Sequence, residues 1–172
     1  MSVVNGDISR DAIEYLMNCR SECEWLDYKE TINLNEDAQL CNFAKDVVAM
    51  KNVGGGYLVV GVKDKTWERV GLENQLPYDT KMLRDKIFHA TGLQINIDIV
   101  QHQFQYDCKI RYFPLILIRT SKKRSKRRVP SLIFKDFCIG KPFGLRRGDI
   151  FARKGDSTVR ISSSDELVEL LD

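Results

Sequence analysis

The chain of 172 residues has no apolar run near the roughly 18 residues that a membrane-spanning helix needs. Its longest apolar stretches, Tyr57–Val62 and Phe113–Ile118, have the length of strands. The N-terminus lacks the basic, then apolar, then small-residue order of a secretory signal. Cysteine is sparse and odd in number: Cys19, Cys23, Cys41, Cys108 and Cys138 show no framework spacing and no C-x-x-C pair. Reduced thiols in a cytosol are therefore expected, with a nucleus as the alternative. With two histidines and no Ser/His/Asp or Cys/His pattern, side-chain nucleophile chemistry has no starting point. His89 reads as a packing residue on a helix and His102 as one facing water beside a strand. No internal repeat is present. Acidic residues are scarce in the last third: 14 Lys+Arg stand against 7 Asp+Glu in residues 119–172, whereas residues 1–118 carry 13 against 17.

What is present is ordinary for one folded domain: 43% hydrophobic and 30% charged residues, enough for a single core over 1–172. Ser9 is placed to cap a helix running to about Arg20, with Ile8 and Ile13 at staple positions. Trp25–Glu30 reads as a short strand; alternation puts Trp25, Asp27 and Lys29 on one face and Leu26, Tyr28 and Glu30 on the other. Leu40, Cys41, Phe43, Ala44, Val47 and Val48 mark a helix over about Asp37–Lys51, ended by Gly54-Gly-Gly56. A buried strand, Tyr57–Val62, a turn over Lys63–Glu68 and a return strand, Arg69–Leu72, follow. A third helix is expected over Pro77–Thr91, capped by Asp79, and then strands with Ile95, Ile97 and Ile99 alternating and over Lys109–Ile118. Ser131–Phe137, Asp149–Arg153 and Thr158–Ile161 read as short strands, and Ser163-Ser-Asp-Glu166 opens a final helix. Helices spread among hairpins give an α+β fold with mixed, mainly antiparallel sheets.

Two constellations carry chemistry. The first is Glu22-Cys-Glu-Trp-Leu-Asp27-Tyr-Lys29. If Glu22 sits at a helix end and Asp27 on the strand, both carboxylates point into one cleft beside Lys29, and Asp64 can turn into the same region. Hard oxygen ligands of this kind suit Mg²⁺ or Mn²⁺ in phosphodiester cleavage. The bland alternative is a solvated strand face. The second is basic. Seven of the ten residues from Arg119 to Arg128 are Lys or Arg: Arg119, Lys122, Lys123, Arg124, Lys126, Arg127 and Arg128. With Arg146, Arg147, Arg153, Lys154 and Arg160 they form a candidate stripe for the phosphates of nucleic acid, alongside the reading of a solvated loop or a nuclear import signal. Phe134, Phe137 and Phe143 interleave these charges, as core residues or as base-stacking platforms. The glycine run lacks a following Gly-Lys-Ser/Thr and joins a helix to a strand, the wrong order for a P-loop, so a helix stop accounts for it better than an ATP cradle.

Glu22…Asp27-Tyr-Lys29, then Ala49-Met-Lys-Asn-Val-Gly-Gly-Gly-Tyr-Leu-Val-Val-Gly-Val-Lys-Asp64, then Val70-Gly-Leu72, together resemble the Schlafen AlbA-like domain family. That family's pattern is E-(x)4-E-F-K, A-x-x-N-x-x-G-G, G-V-D-D and V-G-L. Phe151-Ala-Arg-Lys-Gly-Asp-Ser-Thr-Val-Arg160 resembles its R-x-G-S-S-T segment, so the similarity spans about residues 20–170, with 119–128 as a basic insertion. The resemblance implies a nucleic-acid-binding lobe and a metal-dependent endoribonuclease acting on structured RNA such as transfer RNA. Its three acids fall on Glu22, Asp27 and either Lys63 or Asp64, with Asp27 standing where Glu is usual. The expected metal ligands are thus Glu22, Asp27 and Asp64, with Lys29 at the scissile phosphate. No zinc site is recognised, since His102 and Cys108 form a stray pair. Because the family's cleaving horseshoe has two lobes, a homodimer or a second Schlafen-like lobe is the expected partner. The competing readings are a non-catalytic DNA- or RNA-binding module and an ATP-binding regulatory domain.

Overall fold

A computed structural model describes residues 5–120 and 129–172. Its elements are α1 (Arg10–Cys19), β1 (Leu26–Lys29), α2 (Asp37–Val53), β2 (Gly56–Val60), α3 (Thr80–Thr91), β3 (Ile97–Tyr106), β4 (Lys109–Ile118), β5 (Phe151–Lys154), β6 (Ser157–Arg160) and α4 (Ser164–Leu171). This is the expected α+β fold. Lys122, Lys123, Arg124, Lys126, Arg127 and Arg128 lie outside the described residues. Among the described residues no helix is long and apolar enough to cross a membrane.

The helix starts follow the sequence signals. The side chains of Ser9, Asp79 and Ser163 accept hydrogen bonds from the N–H groups of Ala12, Met82 and Glu166, each satisfying a donor that the first helical turn leaves without a partner. Gly92 ends α3 in the left-handed conformation.

Four strands form one sheet in the order β1-β2-β4-β3, in which β1 and β2 run parallel and the other pairs antiparallel; β5 and β6 make a separate hairpin. Alternation divides the large sheet between two cores. Leu26, Tyr28, Tyr57, Val59, Leu115 and Leu117 face α1 through Ile13, Leu16 and Met17. Leu58, Val60, Ile116 and Ile118 face α2 and α3 through Phe43, Val47, Leu83 and Ile87. Asp27 and Lys29 alternate onto the α2 face. Trp25 does not join them: it precedes β1 and packs beside the α1 core.

Two expected strands are absent, and a third starts later than expected. Arg69–Leu72 makes only single bridges, Val62 to Arg69 and Leu72 to Tyr112, and Ser131–Phe137 only Leu132 to Ile150 and Phe137 to Leu145. Ile95 is buried but precedes β3. Both of the first two segments are instead tied down by tertiary contacts. Gly61 and Gly71 have φ of 98° and 63°, and a Cβ on Gly71 would stand 2.7 Å from the Arg111 Cβ and 3.0 Å from the Phe113 ring. Two chain segments thus cross face to face over Phe113, which fixes where the turn carrying Lys63 and Asp64 leaves β2. Asn52, near the C-terminus of α2, donates to the carbonyls of Ser131 (3.0 Å) and Phe151 (2.8 Å) and accepts from the Ser131 N–H (2.7 Å). One buried amide thereby holds the segment after the basic run and β5 against α2.

Candidate functional site: a carboxyl pair and a bridging lysine

β1 is an edge strand, and that position explains Glu22. In the parallel ladder Trp25 and Lys29 turn their carbonyls toward β2, accepting from Tyr57 and Gly61 at 2.8 Å each. Leu26 and Tyr28 therefore present their backbone groups outward. Leu26 exchanges hydrogen bonds with Cys23, and the Tyr28 N–H donates to Glu22 Oε1 at 3.1 Å. The chain before β1 folds back over the strand edge and sets the Glu22 carboxyl beside that of Asp27. Burial pushes Glu22 up to about 8, reinforced by its hydrogen bond with Asp27 and by the negative charges of Asp27 and Asp64, against the lowering effect of the Tyr28 N–H. Since Oε1 accepts from Tyr28, the proton held at neutral pH belongs on Oε2.

Asp27 is 5% exposed and is met by two cations. Lys29 Nζ stands 2.9 Å from its Oδ2, an ion pair that lies off the angle of a hydrogen bond, and an Arg153 guanidinium nitrogen stands 3.9 Å from Oδ1. The same Lys29 Nζ is 2.9 Å from Oδ2 of Asp46 on α2. Asp46 in turn accepts from the Thr158 hydroxyl at 2.7 Å, and Arg153 donates to Thr158 (3.3 Å) and to the Cys23 carbonyl (3.2 Å). β1, α2, β5, β6 and the segment before β1 all meet in this network. Burial opposes the charge on Lys29, yet the attraction of Asp46 and Asp27 outweighs it and raises its pKa above the usual lysine range.

Of the expected acids, Glu22 and Asp27 are brought together. Asp64 is exposed at the turn after β2, where it lines an open cleft of about 420 Å³ with Lys29, Glu30, Thr31, Lys63 and Thr66. It reaches Glu22 through its charge, but among the described residues no three His, Cys, Asp or Glu side chains stand close enough together to hold a metal ion. Lys63 pairs with Glu68 at 3.2 Å. The donor set present is two adjacent carboxyl groups, one of them nearly buried; it is no closed protein cage, and it suits at most Mg²⁺ held jointly with substrate phosphate and water, which is how that ion is commonly bound.

The basic stripe is only partly assembled. Arg153 is buried inside the acidic network, and its Nε has no hydrogen-bond partner among the described residues. Arg119 donates to Asp98 at 2.8 Å, Lys154 lies 3.6 Å from Glu166 and from Glu169, and Arg160 lies 3.3 Å from Asp149. Arg146 and Arg147 are exposed, and neither forms an ion pair with a described residue. Phe137 and Phe143 pack against the core while Phe134 is exposed. His89 touches Phe137 edge-on but is exposed, so the partial burial expected of it is not found; His102 does not face water freely, since its Nε2 meets the Ile8 carbonyl at 2.8 Å. The glycine run serves packing: a Cβ on Gly55 would stand 2.7 Å from the Ile118 carbonyl oxygen.

The residues missed from sequence are Asp46, Thr158 and the inward role of Arg153. Asp46 had one visible signal. It sits on a helix buried on nearly every side, between Phe43, Val47 and Met50, where a carboxylate needs a cation.

No curated protein matches the chain. The crystal structure of the DIP2311 protein from Corynebacterium diphtheriae is similar, with a TM-score of 0.50 and 17% identity over 87% of this chain. At that identity the likeness concerns the fold, and the chain spans only 25% of that protein's length. The sequence profile of the family described as Schlafen, AlbA_2 matches residues 22–162, from the first carboxyl of the site to the turn before α4. The chain belongs to the Schlafen AlbA_2 family.

Proposed function

We propose that this domain binds nucleic acid and that its Glu22–Asp27 pair cleaves RNA with the help of Mg²⁺ or Mn²⁺. Family membership and the excess of basic residues after Ile118 support binding. The observation that carries cleavage is the meeting of Glu22 and Asp27, where burial and the neighbouring carboxyl push Glu22 up to about 8, a recurrent mark of acid–base sites. Glu22 holds a proton at Oε2 next to the anionic Asp27, and Tyr28 fixes its orientation through the backbone. Lys29, held between Asp27 and Asp46, opens onto the cleft and offers positive charge to a phosphate there. A metal ion held by Glu22 and Asp27 together with the substrate phosphate, with Asp64 joining only if its exposed turn moves inward, would supply an activated water and neutralise charge on the phosphate.

One observation favours binding without cleavage: Lys29 and Arg153 already neutralise Asp27 and Asp46, so the network is complete without a metal ion. The deciding experiment incubates the protein with labelled transfer RNA and a matched DNA hairpin, in Mn²⁺ and in EDTA, beside Glu22→Gln and Asp27→Asn. Metal-dependent cutting of RNA lost in both variants supports the nuclease. RNA retained intact, bound equally by the variants and released by salt, leaves a binding module. We further place the chain as one lobe of a two-lobed assembly, formed with a second copy or a related lobe in a cytosol. Sedimentation of the free protein and of its RNA complex tests this, and a single copy in both would refute the pairing.

A further inference from the structure

A cavity of about 200 Å³ lies on the opposite side of the sheet from Lys29, where the start of α1 meets the beginnings of β1 and β2. That volume equals roughly six or seven water molecules at about 30 Å³ each, too small for a nucleotide and enough for one side chain or a small amine. It is lined by three aromatic side chains, the half-buried Trp25, the exposed Tyr15 and the buried Tyr57, and by the polar Asn5, Asp7 and Asp11. Asp11 and Tyr15 are one helical turn apart and so share a face of α1. Tyr57 is fixed by donating its hydroxyl to Asn5 Oδ1 at 3.0 Å. Asn5, Asp7, Asp11 and Tyr15 precede Glu22, where the family match begins, so only the Trp25 and Tyr57 side of the cavity lies within that match.

Among the described residues neither Asp7 nor Asp11 forms an ion pair, and the nearby cations are engaged elsewhere. Arg10 turns to Glu14 and the Gln103 carbonyl and lies 4.0 Å from the centre of the Phe104 ring. Arg119, which approaches Gly6, is bound to Asp98. Asp7 accepts from the Ser9 N–H at 2.9 Å, which holds its carboxyl below the usual range, so it remains anionic at neutral pH. The partial positive charge of the helix N-terminus, about half a unit, is outweighed by two full negative charges. A phosphate is therefore repelled here. Electron-rich ring faces beside carboxylates attract cations with apolar skirts.

The geometry points to a binding site for an organic cation, an alkylated ammonium or a guanidinium, seated between Trp25 and Tyr15 with Asp7 and Asp11 around its charge. The cation comes either from a free small amine or from a lysine or arginine side chain of a partner peptide.

The test follows Trp25 emission in a Trp67→Phe background, with circular dichroism to verify folding. Should that variant not fold, the Trp25 indole signal in the NMR spectrum of the wild-type protein replaces it. Choline, arginine and the uncharged carbon isostere of choline are titrated, then short peptides bearing arginine or trimethylated lysine. A saturable change with a cation, absent with the isostere and weakened about threefold or more in Asp11→Asn and in Tyr15→Ala, bears out the site. Equal affinity for choline and peptide identifies a free amine as the ligand, and much tighter binding of peptide identifies a partner's side chain. No saturation with any cation, equal binding of the isostere, or preferential binding of a nucleoside overturns it.

Discussion

Lys29 on β1 and Asp46 on α2 stand 2.9 Å apart, and the same ammonium is 2.9 Å from Asp27. This lysine holds together two carboxylates that would otherwise repel each other in a poorly solvated place. Replacing Lys29 with Met should destabilise the fold by about 3 kcal/mol, since it leaves Asp46 without its cation and Asp27 with only the more distant Arg153. Asp46→Asn removes one charge and keeps the Thr158 contact, and should cost less, about 1–2 kcal/mol. Urea unfolding of both variants checks the order. An equal, small cost for each would mean that the network is solvated.

Glu22 gives a pH signature. Its folded pKa of about 8 lies above its ordinary value of 4.5, so between those limits the folded state holds a proton that the unfolded chain has released. Stability supplied by this group is complete below about pH 4.5 and is lost as pH rises through 8. Glu22→Gln should therefore melt higher than the wild type at pH 8.5 and lose that advantage near pH 5, as read by thermal unfolding at the two values. Metal binding must displace the same proton, so any Mn²⁺-dependent cleavage should rise with pH toward 8 and beyond.

The crossing of Gly61 and Gly71 over Phe113 predicts a local failure. Gly71→Ala places a Cβ within 2.7 Å of Arg111 at a φ of 63°, and should cost about 2–3 kcal/mol. Because this crossing sets the turn bearing Asp64, the variant should also lose cleavage out of proportion to its loss of stability. Activity measured well below its melting temperature checks this.

The basic residues divide by burial. Reversing Arg146 and Arg147 to Glu should leave stability nearly unchanged and lower the slope of log K against log salt for single-stranded RNA by about 1.4, at about 0.7 per lost phosphate contact. Arg153→Ala should act in the opposite way, with a stability loss of about 3 kcal/mol, because it strips a buried carboxylate of a partner. An unchanged salt slope in the Arg146/Arg147 variant would remove that pair from the interface.

The sequence by itself determined the helices, their caps, the strands of the main sheet and the α+β class. These follow from local chemistry: Ser9, Asp79 and Ser163 accept from their own first turns, and Val47 and Val48 recur at helical spacing. It also placed Glu22 and Asp27 at one site, because the fold-back that joins them is only a few residues long. Arg153, Asp46 and Thr158 were not legible as partners of Asp27, since they come from β5, α2 and β6 and meet only when β5 packs on α2. Nor was the strand alternation at Trp25, which reads as the neighbour of Asp27 and instead closes an aromatic cavity beside α1. Charge counted along a chain predicts a surface stripe, but only tertiary packing decides which guanidinium meets solvent and which, like that of Arg153, is drawn inward by a carboxylate that must be neutralised.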